Sequence, residues 1–362
     1  MAEPILEAKA LEVRRDNSLI LDIPHLRVED KEVLALVGPN GAGKTTLLLT
    51  LALLYTPSAG EIKFEGKSIS YGKGLINLRR RFAVVFQEPL LFDTSVYENV
   101  ASGLRVRGIR GRELKQRVFT WLDQFGIAHL AKRAARTLSG GEAQRVTLTR
   151  ALVLNPNILF MDEPFASLDP PTRERLIRDM ERIVHETKIT TVFVTHDRSE
   201  ALQLAHRIGV MHQGRIIQIG SPERVINYPA DEVVANFIGI ESILPGRVMV
   251  FNHETFLVDV QGKKIEVAGE AQVGDEVFLC IRPEEVTLLG SGLASLPSSA
   301  RNTFPGRVIQ IGFIGPYCKV TLDCGFPLVA YITKKSLGIL HLDIGREVVA
   351  SFKATAIHVI RK

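Results

Sequence analysis

Cysteine is scarce in this 362-residue chain: Cys280, Cys318 and Cys324 are odd in number and form no Cys-x-x-Cys pair. That argues for a reducing compartment, the cytoplasm, and against a structural metal. A long apolar run is also missing. The leucine-rich stretch after Thr46 falls far short of the ~20 residues a membrane helix needs. The opening residues Met-Ala-Glu-Pro-Ile-Leu-Glu carry no basic segment followed by an apolar one, so no export signal is expected. Charge of one sign is lacking too: 45 Lys and Arg stand against 40 Asp and Glu, a net +5, and no basic block stands out. Nucleic acid is therefore not an expected partner, and any membrane contact has to come through another protein. The length exceeds one ordinary core and suggests two or three domains.

What the chain does contain is concentrated in a few motifs. Residues 38–45 read Gly-Pro-Asn-Gly-Ala-Gly-Lys-Thr, which sets Gly38, Gly43, Lys44 and Thr45 at the spacing of a phosphate-binding P-loop. Four residues between the two glycines let the backbone wrap a phosphate chain, with successive N–H groups pointing inward as an anion nest. Asn40, Gly41 and Thr46 complete that cradle. Lys44 would reach the β/γ oxygens and Thr45 would ligate Mg²⁺, so a nucleoside triphosphate is the expected ligand. Residues 32–37 have the character of a buried strand, and residues 46–54 are long enough for a helix, whose positive end would face the phosphates.

Residues 157–164, Asn-Ile-Leu-Phe-Met-Asp-Glu-Pro, end an apolar run in two carboxylates. A central parallel strand reads as an unbroken apolar run, with the chemistry just past its carboxyl end. Asp162 would support Mg²⁺, and Glu163 would polarise an attacking water. Residues 138–145, Leu-Ser-Gly-Gly-Glu-Ala-Gln-Arg, precede a helix-compatible stretch that runs to Leu154. There Ser139 can cap the helix, while Gly140 and Gly141 let the backbone approach a phosphate at its positive end. With P-loop, Ser-Gly-Gly and Asp-Glu in this order, the chain resembles the ATP-binding cassette family, the ATPase subunits of ABC transporters.

The resemblance implies further positions. Gln87, in Val-Val-Phe-Gln-Glu-Pro at 84–89, is similar to the Q-loop glutamine that contacts metal and water. Ser167-Leu-Asp169 is similar to the D-loop, which crosses to the other subunit. His196, after a β-branched strand, resembles the switch histidine. In the family's geometry Ser139 and Gly141 of one copy cover the γ-phosphate held by residues 38–46 of another, which implies a homodimer around two ATP molecules. The catalytic set is then Glu163, His196 and Gln87, the Mg²⁺ set Thr45, Gln87 and Asp162, and Asp169 joins the nucleotide site. One position departs from the pattern. Arg15 stands where such proteins usually stack an aromatic side chain on adenine, and its planar guanidinium is the expected surrogate. Glu142 stands where many members have glutamine.

Residues 88–137 resemble the helical subdomain that docks on a membrane permease, with Leu90, Leu91, Phe92 and Tyr97 as candidate contacts. A single P-loop argues against the two-cassette soluble ABC proteins of translation or repair. Past residue 242 the pattern turns to short alternating strands. Pro-Gly-Arg-Val recurs at 245–248 and 305–308, and 273–282 resembles 344–353, so two copies of a small β unit are expected at 242–290 and 299–362. A Ser- and Pro-containing stretch at 293–299 would link them. Ser-Ala-Arg-Asn at 299–302, with residues 331–336 and 352–355, resembles the Mop-type, TOBE-class domain of molybdate and tungstate proteins. This implies Ser299, Arg301, Asn302, Thr333, Ser336, Lys353 and Thr355 as donors to a tetrahedral dianion, free of carboxylate repulsion. The alternative is a barrel that only braces a dimer, as TOBE-class domains also occur in sugar and polyamine importers.

The expected architecture is an α/β P-loop ATPase domain over 1–235 with a helical subdomain, followed by a C-terminal all-β, OB-like domain of two TOBE/Mop-type repeats. The expected function is the ATP-hydrolysing subunit of a molybdate or tungstate importer, with ATP and Mg²⁺ as cofactors and a C-terminal oxyanion sensor. It would sit peripherally on the cytoplasmic face of the cell membrane, bound to integral-membrane permease subunits and served indirectly by a periplasmic or extracellular substrate-binding protein. Two other readings stand beside it. One is an importer ATPase for sulfate, sugar, polyamine or ferric ion with a purely structural C-terminal domain; the other is a permease-free ABC ATPase.

Overall fold

The computed structural model describes residues 3–72, 74–290 and 299–361, and divides into two compact units, Met1–Glu223 and Arg224–Lys362. In the first unit, strand Val33–Val37 is buried along its whole length because parallel neighbours flank it, Thr190–Thr195 on one side and Arg207–His212 on the other. Ile158–Asp162 and Phe82–Val85 extend the sheet in parallel, and Arg215–Gly220 closes the far edge antiparallel, giving six strands. The loops that carry residues 38–45, Gln87, Glu163 and His196 leave the carboxyl ends of these strands, where open α/β sheets place their ligands.

A smaller antiparallel sheet covers the core beside it. Strands Leu6–Arg15 and Ser18–Val28 meet at Asp16 and Asn17, whose φ angles of 48° and 64° make the tight turn a two-residue hairpin requires. Leu6, Leu11 and Leu21 of this hairpin share one buried cluster with Leu34, Leu47 and Phe160 of the larger sheet and its first helix. That helix is Lys44–Leu51, so it begins and ends earlier than the 46–54 stretch expected from apolar content. Its N-cap is Gly43, whose φ of 93° lets the loop turn directly into the helix.

Within 88–137, helices Val96–Val106 and Gly111–Gln124 form on amphipathic patterns that bury Val100, Leu104, Val118 and Leu122. Residues ahead of them are irregular but held. Asn99, with no exposed surface, accepts the Phe92 N–H at 2.8 Å and donates to the Phe92 carbonyl at 3.0 Å. This leaves Leu90 and Phe92 exposed, with the guanidinium of Arg150 5.6 Å from the Phe92 ring.

The second unit begins earlier than the expected boundary at 235. Residues 224–235 belong to it and not to the ATPase unit, because helix Glu232–Phe237 buries Ala235 in a cluster with Ile240, Cys280 and Ile360. The two repeats fold together as the one all-β domain expected. Strands Ser242–Asn252 and Asn302–Ile314 correspond, each broken by a bulge at the same place, Val248/Val250 and Val308/Gln310. Yet the last strand of each repeat crosses to the other repeat's sheet. Ile357–Arg361 pairs with Glu276–Ile281, and Thr287–Gly290 pairs with Glu347–Phe352. One core results, with Val248, Val258 and Leu279 beside Val308, Val320 and Phe352. Residues 293–298 of the expected linker lie outside the described residues.

Candidate active site

The phosphate cradle is shaped by steric demand on its glycines. A Cβ on Gly38 would sit 2.2 Å from the Met211 carbonyl oxygen, and one on Gly43 would sit 2.7 Å from the Leu21 side chain. The loop can therefore close only with glycine at these positions. Lys44 is 6% exposed and donates to the Gly38 and Pro39 carbonyls at 2.9 and 3.0 Å, so its ammonium is aimed back across the loop. Burial draws that ammonium below its usual pKa, against the pull of Glu163 and Asp162.

Thr45 and Asp162 are brought together across the sheet, the Thr45 hydroxyl donating to Oδ1 of Asp162 at 2.9 Å. Burial lifts the Asp162 carboxyl above the usual aspartate range, opposed by this hydroxyl and reinforced by the adjacent Glu163 charge. Strand Ile158–Asp162 ends one residue before Glu163, whose φ of 43° is left-handed. Its N–H donates to the Val194 carbonyl at 3.0 Å. That strained turn carries its carboxylate off the strand line, and Oε2 lies 3.1 Å from Nδ1 of His196, just beyond strand Thr190–Thr195. Gln87 is exposed past the end of strand Phe82–Val85. Asp162, Glu163 and His196 thus leave adjacent strands at one end of the sheet.

Arg15 pairs with Ser18 at the hairpin turn, and further along the second hairpin strand Ile20 and Leu21 abut Gly43. The hairpin therefore presents Arg15 on the flank of the cradle. Arg15 is exposed.

Ser139, Gly140 and Gly141 open helix Gly140–Leu152 as expected, through a full capping box. The Ser139 hydroxyl accepts from the Glu142 N–H at 3.3 Å, and Glu142 Oε2 accepts from the Ser139 N–H at 2.7 Å. Glu142 is thus a cap, and the Ser139 N–H holds its carboxyl below the usual range. A Cβ on Gly141 would meet Thr172 Cγ2 at 2.5 Å, while one on Gly140 meets nothing within 4 Å. Ser139, Gly140, Gly141, Ser167, Asp169 and Thr172 line one cleft of about 380 Å³. None of residues 38–46 lines that cleft.

Two residues escaped sequence reasoning. Gln144, fully buried, donates to the Pro164 carbonyl at 2.7 Å and so ties the Ser-Gly-Gly helix to the turn after Glu163. Arg173 reaches both Leu168 and Asp197. Gln144 stood inside a recognised motif, but a side chain bonding 20 residues away leaves no local pattern.

The C-terminal donor set is only partly assembled. Asn302 is 2% exposed, and both ends of its amide are engaged at 2.8 Å by the backbone N–H and carbonyl of Glu266 in the other repeat. Ser242, in the matching place of the first repeat, likewise accepts the Val329 N–H at 3.0 Å. Asn302 is therefore a clamp between repeats, with one of its two amide N–H groups spent on the Glu266 carbonyl. Thr333 caps helix Lys334–Ile339, accepting from the Ser336 N–H at 3.1 Å, with the two hydroxyls 2.9 Å apart. Ser299, Arg301, Lys353 and Thr355 are exposed.

Comparison with known proteins bears on both units. The ABC transporter family matches residues 21–166, and the TOBE domain family matches 298–359. A molybdate/tungstate import ATP-binding protein, WtpC, of Pyrococcus horikoshii is 42% identical over 334 residues, 92% of this chain and 93% of the relative. A spermidine/putrescine import ATP-binding protein, PotA, of Pseudomonas aeruginosa is 34% identical over 369 residues, spanning 100% of both. Among solved structures, cbiO1 from Clostridium perfringens, part of the ABC transporter complex cbiONQ, superposes with a TM-score of 0.59 at 31% identity, covering 66% of this chain and 96% of that one.

Proposed function

The chain belongs to the ABC transporter family of ATP-binding proteins, and from that membership we propose that it is the ATP-hydrolysing subunit of a molybdate or tungstate importer. The observation that carries the choice of cargo is the degree of identity: 42% and 39% to the molybdate/tungstate import proteins over 92% of the chain, against 34% to the spermidine/putrescine import protein.

In this reading the phosphates of ATP lie in the cradle of Gly38 to Thr46, with Arg15 stacked on the base. Thr45, Asp162 and Gln87 would hold Mg²⁺, and their all-oxygen donor set suits that ion. When bound, it would offset phosphate charge. Glu163 takes the proton of the attacking water, and His196 on its Oε2 orients the carboxylate toward the γ-phosphate. Residues 38–46 do not line the cleft of Ser139, Gly141 and Asp169, which supports a working unit in which that cleft is supplied by a second copy, the homodimer that the family resemblance implies.

No helix among the described residues is long and apolar enough to cross a membrane. We assign the chain to the cytoplasmic face of the membrane, with Leu90 and Phe92 toward the permease and Leu91 and Tyr97 behind them. A periplasmic or extracellular binding protein feeds that permease. Ser299, Arg301, Thr333, Ser336, Lys353 and Thr355 are the surface donors for a regulatory oxyanion.

The test is ATP hydrolysis by the chain assembled with its permease and binding protein. Molybdate and tungstate should stimulate it, sulfate and spermidine should not. Stimulation by spermidine instead would favour polyamine import, the reading supported by the full-length likeness to spermidine/putrescine importers.

A further inference from the structure

Arg173 stands in the first turn of helix Pro170–Thr187 and reaches two segments distant in sequence. Its Nη2 donates to the Leu168 carbonyl at 3.2 Å, next to Asp169. Its Nη1 donates to Oδ2 of Asp197 at 3.3 Å, next to His196 on the other side. Its Nε, buried and without a hydrogen-bond partner among the described residues, faces Oε1 of Glu200 at 3.9 Å. Glu200 is 2% exposed, and its Oε2 accepts from the Thr195 hydroxyl at 2.5 Å. The same hydroxyl accepts the Asp197 N–H at 3.0 Å. Both chain neighbours of His196 therefore lead back to one guanidinium.

Capping a helix needs none of this. Asp197 already caps its own helix through the Ser199 N–H at 2.8 Å, and burying a carboxylate beside a guanidinium carries a desolvation cost. The arrangement makes sense as a link. The forked, planar guanidinium addresses the Leu168 carbonyl, Asp197 and Glu200 at once, which an ammonium on a flexible stem does not.

We propose that Arg173 is a positioning residue that ties the loop Ser167-Leu-Asp169 to the segment carrying His196, so that hydrolysis at Glu163 depends on where that loop lies. Arg173 does not touch nucleotide or the reacting water; it acts through His196 and its 3.1 Å contact with Glu163. Because the Asp169 loop lines the same cleft as Ser139 and Gly141, closure of that cleft is what Arg173 reports to the histidine. The inference rests on the roles of Glu163 and His196 proposed above, which Glu163→Gln tests separately.

The experiment compares the full-length chain with Arg173→Lys, Arg173→Ala, Asp197→Ala and the double variant Arg173→Ala/Asp197→Ala, Asp197 being the side chain that Arg173 bonds beside His196. Phosphate release, equilibrium ATP binding and melting temperature are measured for each. ATP affinity should stay within about twofold of the parent, while kcat falls about tenfold in Arg173→Ala and about threefold in Arg173→Lys. The double variant should be within about twofold of the slower single variant, since both changes break one link. A helix-stabilising role alone would lower the melting temperature and leave that coupling absent. Parental kcat in both Arg173 variants, losses that multiply in the double variant, or loss of ATP affinity in step with kcat would each overturn the proposal. Should Arg173→Ala melt early, Arg173→Lys with Asp197→Ala carries the same comparison. Parental turnover in Glu163→Gln would overturn the site assignment, and this proposal with it.

Discussion

Oε2 of Glu163 lies 3.1 Å from Nδ1 of His196, although the two residues are 33 apart in sequence. Their strands, Ile158–Asp162 and Thr190–Thr195, are parallel neighbours, and a left-handed turn at Glu163 swings its carboxylate toward the histidine. A carboxylate with one oxygen oriented and the other free is arranged to take a proton from water.

Glu163→Gln should therefore bind ATP with parental affinity and hydrolyse it at least about 100-fold more slowly, the scale of a lost general base. Phosphate release in single-turnover conditions checks this. Turnover within a few-fold of the parent would remove Glu163 as the base.

Gly140 and Gly141 should respond differently to alanine. At Gly141 the added methyl meets Thr172 Cγ2 at 2.5 Å, whereas Gly140 faces open space. Gly141→Ala is expected to lose about 1–3 kcal/mol of stability and most ATPase activity, and Thr172→Ser, which deletes Cγ2, should restore much of both. Urea unfolding and ATPase assays of the three variants decide it; equal effects at Gly140 and Gly141 would refute the steric account.

Asn302→Ala should cost about 2–4 kcal/mol, because two hydrogen bonds are lost and the Glu266 backbone is left unpaired where it is partly buried. Ser242→Ala, which removes one bond, should cost about 1 kcal/mol. Denaturant midpoints of the full chain provide the measurement. An Asn302→Ala chain of parental stability that had lost molybdate binding would return Asn302 to the anion site.

Arg15→Ala should weaken ATP about threefold to tenfold, by loss of guanidinium stacking, and Arg15→Tyr should recover or exceed parental affinity. Titration with ATP and GTP reads both strength and base preference. Unchanged affinity in Arg15→Ala would end the stacking role.

Burial, countered by the Thr195 hydroxyl and Arg173 and reinforced by Asp197, holds the Glu200 carboxyl above the usual glutamate range. His196 also faces it and opposes the shift. A carboxyl that holds its proton more tightly in the folded state adds stability below its unfolded pKa and loses it as pH rises through the folded value. Glu200→Gln keeps an acceptor for Thr195 and removes the charge. Its melting temperature should match the parent near about pH 4 and exceed it at about pH 8. A gain independent of pH would show that the charge is not the cause.

The ATPase site was readable because its parts are local. A cradle needs glycines at given steps along one loop, and a helix cap needs Ser139 and Glu142 three residues apart. Such constraints leave a pattern in adjacent letters. Arg173 and Gln144 left none, since their partners lie on other elements and any long polar residue looks alike before folding. The bonds of Asn302 to the other repeat were illegible for the same reason: a polar residue at a strand start reads as exposed until the neighbouring strand is known. The 1–235 boundary placed residues 224–235 with the ATPase because nothing in that helix states which core its Ala235 enters.

By itself the sequence determined that the chain carries a phosphate cradle, a carboxylate pair past a buried strand, a capped Ser-Gly-Gly helix and a duplicated β unit. Each depends on residue types at short, regular spacing, imposed by backbone geometry alone. Only the tertiary structure decided that Glu163 meets His196, that Arg173 brackets that histidine, and that the two repeats exchange their last strands into one core. Those are contacts between segments far apart in the chain. Strand order and the exclusion of water from shared cores select them, and neither quantity is written in any local run of residues.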